Sequence, residues 1–342
     1  MCYCSTPTAT AKTPDQDNGD TSIAAIHPDI IQSHILNRLD GQTLASTTCA
    51  STQLHSLCTE DTLWRDLCNS TWPSTGDRRV NDAISHFPSG HRSFYSQSFP
   101  TLHHLPRSQK SHRHRPPPET TELISAVDIY YDEKLLYSKV MVTETLSGWF
   151  LCSPFSLDLL ERKETVPAPV NFDGDEGACL ALLEQHMRVS WILIDPKQKR
   201  AVNVASTTPV ETRQHWLTED IRLRFTTVMP SGGGDFVQCG VVVTCGGKDG
   251  EELQVKEVTL QVEDMDGKIL NGSDSLGILH DAMDGERRKS NRDIERESYE
   301  QFLKMKLQYR ERKQRRERSL DMIFIATGVA IFLAASFLIL LR

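Results

Sequence analysis

Residues 26 to 67, IHPDIIQSHILNRLDGQTLASTTCASTQLHSLCTEDTLWRDL, decide the fold of the N-terminal part of this chain. Ile31, Ile35 and Leu39 follow one another at intervals of four residues, with Leu36 beside them, so a helix here carries an apolar stripe. A segment of about forty residues cannot cover a stripe of this width by itself. The pattern therefore predicts a small helical module that another surface must bury.

The order of the motifs in this stretch resembles that of an F-box. A Pro-led first helix carries Ile-Leu and Arg-Leu, a second helix starts near Leu44, and a Leu-Trp pair closes a third. F-boxes usually have Leu-Pro where this chain has His27-Pro28, and they often have a Trp where this chain has Leu54. Both changes weaken anchoring, and the loss of the indole removes about 1–2 kcal/mol of apolar burial.

The resemblance implies that residues 24–68 form an F-box module, which binds the Skp adaptor of the cullin-RING (SCF) ubiquitin ligases. The alternative is a small helical subdomain that packs on the rest of the protein. The Skp-binding residues that the resemblance implies are the apolar positions of the motif: Pro28, Ile31, Ile35, Leu36, Leu39, Leu44, Leu54, Leu57, Leu63 and Trp64.

Further phrases resemble a plant-specific group of F-box proteins. They are STWPS at residues 70–74, ISHFPSGHRSFYSQSFP at 84–100, SWILIDP at 190–196 and KRAVN at 199–203. The resemblance thus covers roughly residues 24 to 280, with residues 69–105 as an extension of the F-box.

Charge is distributed unevenly along the 342 residues, a length that suggests two domains plus tails. The whole chain carries a net charge of −8, but residues 284–321 contain 13 Lys/Arg against 9 Asp/Glu. The remainder is therefore acidic. Nucleic-acid binding there is disfavoured, because affinity for phosphate comes chiefly from Lys and Arg.

The nine cysteines predict a reducing compartment. Their number is odd and no Cys-x-x-Cys pair occurs, so there is no disulfide framework. The sequons at Asn69 and Asn271 should then stay unmodified. Residues 1–23 lack the pattern of a secretory signal and are expected to be a disordered leader.

A run of twenty uncharged residues, MIFIATGVAIFLAASFLILL, occupies positions 322–341 and predicts a transmembrane helix. Basic residues precede it, which places the N-terminal side in the cytosol. One residue follows it, so the chain is expected to be tail-anchored, with the endoplasmic reticulum favoured over the mitochondrial outer membrane. The membrane anchor is expected to include the large apolar residues Ile323, Phe324, Phe332, Phe337 and Leu341.

The charged segment 284–321 has a helical composition. Tyr299, Phe302, Met305 and Tyr309 form a narrow apolar stripe along it. The stripe fits a coiled-coil seam, a docking face for the preceding domain, or a solvated stalk whose basic residues rest on anionic lipid. We favour the stalk.

Residues 121–281 predict an antiparallel β-sandwich that binds a target, preceded by a basic linker at 106–120. Within it, Ala178–Met187 is expected to be a helix. The eight expected strands, rich in β-branched and aromatic residues and bounded by turns, are Leu123–Tyr131, Leu135–Thr143, Gly148–Cys152, Val189–Ile194, Ala201–Ala205, Ile221–Val228, Phe236–Thr244 and Leu253–Val262.

No motif in the chain indicates catalysis or metal binding. The glycines at 232–234 lack the Lys-Ser/Thr of a phosphate loop and are expected to form a hairpin turn. The Asp264 to Gly267 segment begins like a calcium loop but lacks its later ligands. The histidines at 103, 104, 112 and 114 lie in the linker without Cys or carboxylate partners.

The fold class is therefore α+β: a small helical F-box, a β-sandwich-like domain, a charged stalk helix and one transmembrane helix. The leading hypothesis is a substrate receptor of a membrane-tethered SCF ligase, without catalytic residues or cofactor. Its partners would be Skp, through it cullin and RING subunits, an unknown protein target, and a bilayer. The alternative is a tail-anchored tethering protein whose β domain recognises a glycan, lipid or protein, with a purely structural F-box.

Overall fold

The computed structural model describes residues 26–99, 120–171, 176–231, 235–247, 250–285, 287 and 291–341. The expected leader, the linker up to residue 119 with its four histidines, and the three glycines at 232–234 lie outside the described residues. The chain forms two compact units that divide between Leu63 and Trp64.

The N-terminal unit is helical. Its helices are α1 (Pro28–Ile30), α2 (Gly41–Thr47) and α3 (Thr52–Cys58), and α1 continues through a π-helical turn and a 3₁₀ turn as far as Arg38. Asp40 caps α2 by accepting a hydrogen bond from the backbone N–H of Thr43, at 2.8 Å. Ser51 caps α3 in the same way, so local chemistry fixes where both helices begin.

Helix α4 (Asp61–Thr71) follows, and then α5 (Arg78–Ser85) and α6 (Gly90–Ser98). In this segment Trp72 lies 5.9 Å from Phe94 and 5.4 Å from Tyr95, measured between ring centroids. Trp64 also packs on Tyr95. Aromatic rings at these separations form a stable small core.

The rest of the second unit contains two antiparallel sheets that share one hydrophobic core. The first sheet has the order β2-β1-β5-β6, and the second has the order β3-β10-β9-β8-β7 with β4 paired to β10. The strands are β1 (Glu122–Tyr131), β2 (Lys134–Glu144), β3 (Ser156–Asp158), β4 (Val166–Asn171), β5 (Met187–Asp195), β6 (Arg200–Asn203), β7 (Glu211–Gln214), β8 (Ile221–Pro230), β9 (Phe236–Gly246) and β10 (Glu252–Glu263).

The antiparallel sheets and the mixed α and β composition confirm the coarse prediction. One predicted strand is wrong, because Gly148–Cys152 forms helix α7. Ser147 caps this helix by accepting from the N–H of Phe150, whose ring packs on Phe155. The expected helix is found as α8 (Glu176–His186). The short strands β3, β4 and β7 were not predicted.

Residues 71–79 are attached directly to the first sheet. Ser74 donates through its N–H and its hydroxyl to the buried carboxylate of Asp128, at 2.9 and 2.6 Å. Tyr130 donates its hydroxyl to the carbonyl of Thr71, and Arg79 contacts the carboxylate of a β1 residue. Residues 120–285, which contain both sheets, are called the β unit. The segment predicted as an F-box extension is therefore built onto the β unit.

Arg287 joins three segments of the second compact unit: the end of α6, strand β6 and the end of the helix that precedes Arg287. Its guanidinium donates to the carbonyl of Gln97 at the end of α6, to the carbonyl of Ala201 in β6, and to three carbonyls at the end of α9 (Gly272–Asp284). Burial lowers the pKa of Arg287 to about 10, which leaves it charged at neutral pH. Its loss would leave buried carbonyls without a donor.

Helix α10 runs without interruption from Arg292 to Leu340. Its first half packs on the β unit: Tyr299 and Phe302 are buried, with Met305 and Tyr309 beside them, against Val210, Val228, Phe236 and Met265. The solvated stalk that the sequence favoured is therefore wrong for this half. The apolar stripe is a docking face, as the alternative interpretation held.

Candidate functional site

The ten residues predicted to bind Skp divide into two groups. Pro28 and Ile35 are exposed and Leu39 is half-buried. The other seven are buried within the chain itself: Ile31, Leu36, Leu44, Leu54, Leu57, Leu63 and Trp64. Burial in the free chain does not decide whether they contact an adaptor, and their role stays a prediction.

The π-helical turn explains why the first group differs from the expected stripe. The N–H of Leu36 reaches the carbonyl of Ile31 five residues back, as well as that of Gln32. A π turn takes more residues than an α turn, so Leu36 returns to the side of Ile31. Ile31 and Leu36 are 1% and 2% exposed, while Ile35 is 40% exposed. The regular stripe of Ile31, Ile35 and Leu39 is therefore corrected to a buried Ile31 and Leu36 with Ile35 on the surface.

Two more exposed apolar residues lie in the same segment, outside the ten residues predicted from the sequence to bind Skp. Ile26 is 36% exposed and Ile30 is 50% exposed. With Pro28 and Ile35 they make four exposed apolar residues within ten positions of the chain. The signal was present in the sequence, since Ile26 and Ile30 are four residues apart. These four residues, called the exposed apolar cluster because they lie close together in the sequence, are the candidate protein-binding surface.

The C-terminal half of α10 is the second candidate site. Ile323, Phe324, Phe332, Phe337 and Leu341 are all between 58% and 74% exposed. α10 is the one helix, among the residues described, that is long and apolar enough to cross a membrane by length and composition. Apolar side chains exposed on all faces of a helix are typical of a membrane span.

A buried constellation in the β unit has the residue types of a hydrolase triad. Thr120 donates its hydroxyl to Asp195 at 2.6 Å, and Nε2 of His280 lies 3.0 Å from Thr120 and 3.1 Å from Asp195. A catalytic histidine needs one ring nitrogen on the nucleophile and the other on the carboxylate. Here the same nitrogen faces both groups, and Thr120 is buried, so the geometry is that of a structural brace.

The two fully buried carboxylates among the described residues, Asp128 and Asp195, are held differently. Burial alone would raise the pKa of Asp195, but the bonds from His280, Thr120 and the N–H of Gln198 lower it below its ordinary value. At Asp128, burial outweighs the bonds from Ser74 and Ser138, and the pKa is raised. Neither carboxylate is open to a substrate, since both are fully buried.

The described part of the chain meets the requirements of neither a metal site nor a reactive cysteine. No group of three or more His, Cys, Asp or Glu residues is placed to hold a metal ion there. Cys49 and Cys152 are exposed, whereas Cys239 and Cys245 are buried. Burial raises the pKa of Cys245 to about 12, so this thiol stays protonated at neutral pH.

Comparison with known proteins gives relatives along nearly the whole chain. F-box protein At2g27310 of Arabidopsis thaliana is 45% identical, over 96% of this chain and 99% of the relative. F-box protein At3g44326 is 38% identical over 96% of the chain and 93% of the relative, and probable F-box protein At2g36090 is 40% identical over 91% of each, both from the same plant.

This chain belongs to a plant F-box protein family. No family model and no solved structure matches it. Membership confirms the resemblance carried by the N-terminal motifs and points to an SCF substrate-recognition role with a Skp-type adaptor as partner. F-box proteins are typically adaptor subunits rather than enzymes. The exposed apolar cluster of this F-box protein lies within residues 26–67, the segment whose motifs resemble an F-box.

Proposed function

We propose that this F-box protein is the substrate-recognition subunit of an SCF-type cullin-RING ubiquitin ligase tethered to a membrane. The N-terminal helical unit binds Skp, the β unit binds a target, and residues 322–341 anchor the chain with its N-terminus in the cytosol. The endoplasmic reticulum is the favoured membrane. The chain contributes position rather than chemistry, because holding a target near the ubiquitin-charged enzyme raises its local concentration.

The observation that carries the ligase proposal is the exposed apolar cluster in the F-box segment. Pro28 and Ile35 stand on the surface of a chain whose relatives are F-box proteins. An adaptor that covers them recovers about 25 cal/mol for each Å² of apolar surface removed from water. The apolar half of α10 supports the tether in the same way, since a lipid environment covers all sides of such a helix.

Capture of Skp tests the proposal through Ile35→Asp. The carboxylate would lie in an apolar interface without a partner, and we expect Skp and cullin to be lost from the purified complex. Ile35 is already 40% exposed, so the variant should fold. Leu182→Asp on α8 is the matched control, because Leu182 is 41% exposed and lies in the β unit. The buried Leu36 is unsuitable, since Leu36→Asp would unfold the helical unit.

A second candidate function is a tail-anchored tethering protein with a structural F-box. Its support is that seven of the ten predicted contact residues are buried within the chain. In this case the β unit would recognise a glycan, lipid or protein, and Ile35→Asp would leave every interaction unchanged. No Skp with the unaltered chain would favour this candidate over the ligase, whereas full Skp recovery with Ile35→Asp would show that the exposed apolar cluster is not the Skp contact.

A further inference from the structure

The turn between β7 and β8 presents two large apolar side chains to solvent. Trp216 is 86% exposed and Leu217 is 68% exposed. The turn is ordered by its own contacts, because the N–H of His215 donates to the carbonyl of Asp220 and the N–H of Glu219 donates to the carbonyl of His215. An exposed tryptophan on an ordered turn is typical of a binding anchor, either for a membrane or for a protein.

The path of α10 over the second sheet separates these two possibilities. Tyr299 donates its hydroxyl to Glu211, which is paired with Arg224 in β8. About two turns further along the helix, Lys306 lies 3.9 Å from Glu263 at the end of β10. Glu263 and Val228 of β8 lie in the same row of the sheet, because both are paired with one residue of β9. The helix therefore advances in the direction in which β8 runs.

Further along, α10 contacts the turn that follows β10. Arg310 donates to the carbonyl of Asp266, and the ammonium of Lys313 lies 2.7 Å from the Asp266 carboxylate. Met322 follows Lys313 by nine residues, which is about 14 Å of helix. If residues 322–341 are in the bilayer, as the proposed function holds, the Asp266 turn faces the membrane and the Trp216 turn faces away from it.

The Trp216 turn then stands far above the lipid. From Val228 to Ile221, β8 runs back through seven residues, or about 23 Å. Added to the helix between Lys313 and Met322, this places the turn on the order of 35–40 Å above the anchor. The same membrane cannot cover Trp216 and Leu217, and a protein is the remaining kind of occupant.

A pair of arginines next to the turn defines the charge of that protein. Arg213 and Arg222 are directly opposite each other on β7 and β8, one position from the turn. Both line a groove on the outer face of the sheet, together with a third arginine, Arg224, and the carboxylates of Glu211 and Glu257. Like charges directly opposite each other are unfavourable. Arg213 is compensated by Glu211, but within the described residues no carboxylate is paired with Arg222.

We propose that the Trp216 turn and the Arg213–Arg222 pair form the docking surface for the target of this F-box protein. The occupant is a protein segment that places acidic side chains on the arginines and an apolar side chain against Trp216 and Leu217. The inference rests on the proposed function for its membrane geometry. It names the substrate class: proteins with an acidic and apolar segment that reaches about 35–40 Å from the bilayer surface.

Peptide binding to the full chain in lipid nanodiscs tests this surface. The probes are three fluorescein-labelled twelve-residue peptides in which leucine alternates with glutamate, leucine alternates with lysine, or serine alternates with glutamate. We expect the glutamate-leucine peptide to bind about tenfold more tightly than either of the others, as fluorescence anisotropy measures it. Arg222→Glu and the double variant Trp216→Ser/Leu217→Ser should each lower that affinity about tenfold.

Controls keep this outcome separate from that of the ligase proposal. Arg162→Glu makes the same charge change at an exposed site in another loop and should leave peptide binding unchanged. Skp capture should be the same for all these variants. Equal binding of the glutamate and lysine peptides, or unchanged affinity with Arg222→Glu, would overturn the docking surface even if Skp capture is normal.

A second experiment tests whether the Trp216 turn contacts lipid instead of a protein. A fluorescent amino acid incorporated at position 216 should not be quenched by nitroxide-labelled lipids in the nanodisc. A second probe at position 322 should be quenched strongly and shows that the chain is inserted. Quenching at position 216 would mean that the turn contacts the membrane, and the protein-docking inference would be wrong.

Discussion

The two halves of α10 belong to one continuous helix but have opposite surroundings. Between Arg292 and Lys313 a narrow apolar stripe packs on the protein, and its residues Tyr299 and Phe302 are 5% and 0% exposed, while Leu307 lies outside the stripe and is 59% exposed. Between Met322 and Leu341 the apolar residues lie on all faces, and Phe332 is 70% exposed. One protein surface can cover a narrow apolar stripe, whereas a helix that is apolar on all faces needs an apolar environment around it, such as the hydrocarbon core of a bilayer.

This difference gives the helix two tasks. Its first half fixes the direction in which the β unit is held, through Glu295, which accepts from the N–H and the hydroxyl of Thr207, and through the Lys313–Asp266 ion pair. Its second half is available to a bilayer. A domain held this way has a set orientation, in contrast to a domain on a flexible linker.

Deletion of residues 322–342 should have the largest effect. We expect the truncated chain to move entirely from the membrane pellet to the soluble fraction, because the docked half of α10 has no exposed apolar face comparable to the removed one. Skp capture should be retained, since the F-box segment is at the other end of the chain. Carbonate-resistant association of the truncated chain with membranes would show that another segment anchors it.

A glycosylation acceptor appended after Arg342 should be modified if the C-terminus enters the lumen of the endoplasmic reticulum. If the basic residues before the proposed span hold the N-terminal side in the cytosol, Asn69 and Asn271 should remain without glycans. Gel mobility before and after endoglycosidase treatment measures both. Glycans on Asn69 or Asn271 would invert the topology and exclude a cytosolic ligase.

The two halves of α10 should also differ in how much the loss of a phenyl ring lowers the free energy of unfolding. Phe302→Ala should lower the free energy of unfolding of the β unit by about 3 kcal/mol or more, because it leaves a cavity in a fully buried cluster. Phe332→Ala makes the same change in the exposed half and should leave that free energy unchanged. Chemical denaturation of both variants in detergent micelles, followed by tryptophan fluorescence, gives the comparison. Equal losses would mean that the two halves are not distinct.

The sequence predicted the long strands well because they have strong local signals. β1, β5, β8, β9 and β10 combine β-branched residues with turns at their ends. The strand expected at Gly148–Cys152 failed because its aromatic residues also suit a helix, and the deciding signal was the Ser147 cap. β4 was missed because Pro167 and Pro169 argue against a strand, although they are tolerated where a strand has one partner.

Two features of the candidate sites could not be read from sequence spacing. A π turn has no simple sequence pattern, so the exposure of Ile35 and the burial of Leu36 came only with the structure. For the stripe of Tyr299 and Phe302, the sequence showed that an apolar surface would cover it but not which surface. Val210 and Met265, which cover it, are far away along the chain. Spacing describes one element, while docking depends on a second element.

The smallest expected effect concerns Lys306, a charged residue within the docked half of α10. Its side chain is 12% exposed, and burial lowers the pKa of its ammonium despite Glu263 at 3.9 Å and the ring of Phe302. A folded-state pKa below the ordinary value means that the charged form is less favourable in the folded protein than in the unfolded chain. Glu263 keeps a second partner in Arg224, at 3.2 Å.

Lys306→Met should therefore leave the free energy of unfolding unchanged or raise it by up to about 1 kcal/mol at pH 7. The cost of the charged lysine is present at neutral pH and disappears as the pH rises through the folded-state pKa toward 10.5. The advantage of the methionine variant should shrink over the same pH range. Denaturation midpoints of both proteins at pH 7 and pH 10 show whether the substitution raises or lowers the stability.

The exposed Lys304→Met, two residues away on the same helix, is the control and should show no such dependence. A marked loss of stability with Lys306→Met at pH 7 would show that ion pairing, rather than apolar contact, holds this half of the helix on the sheet.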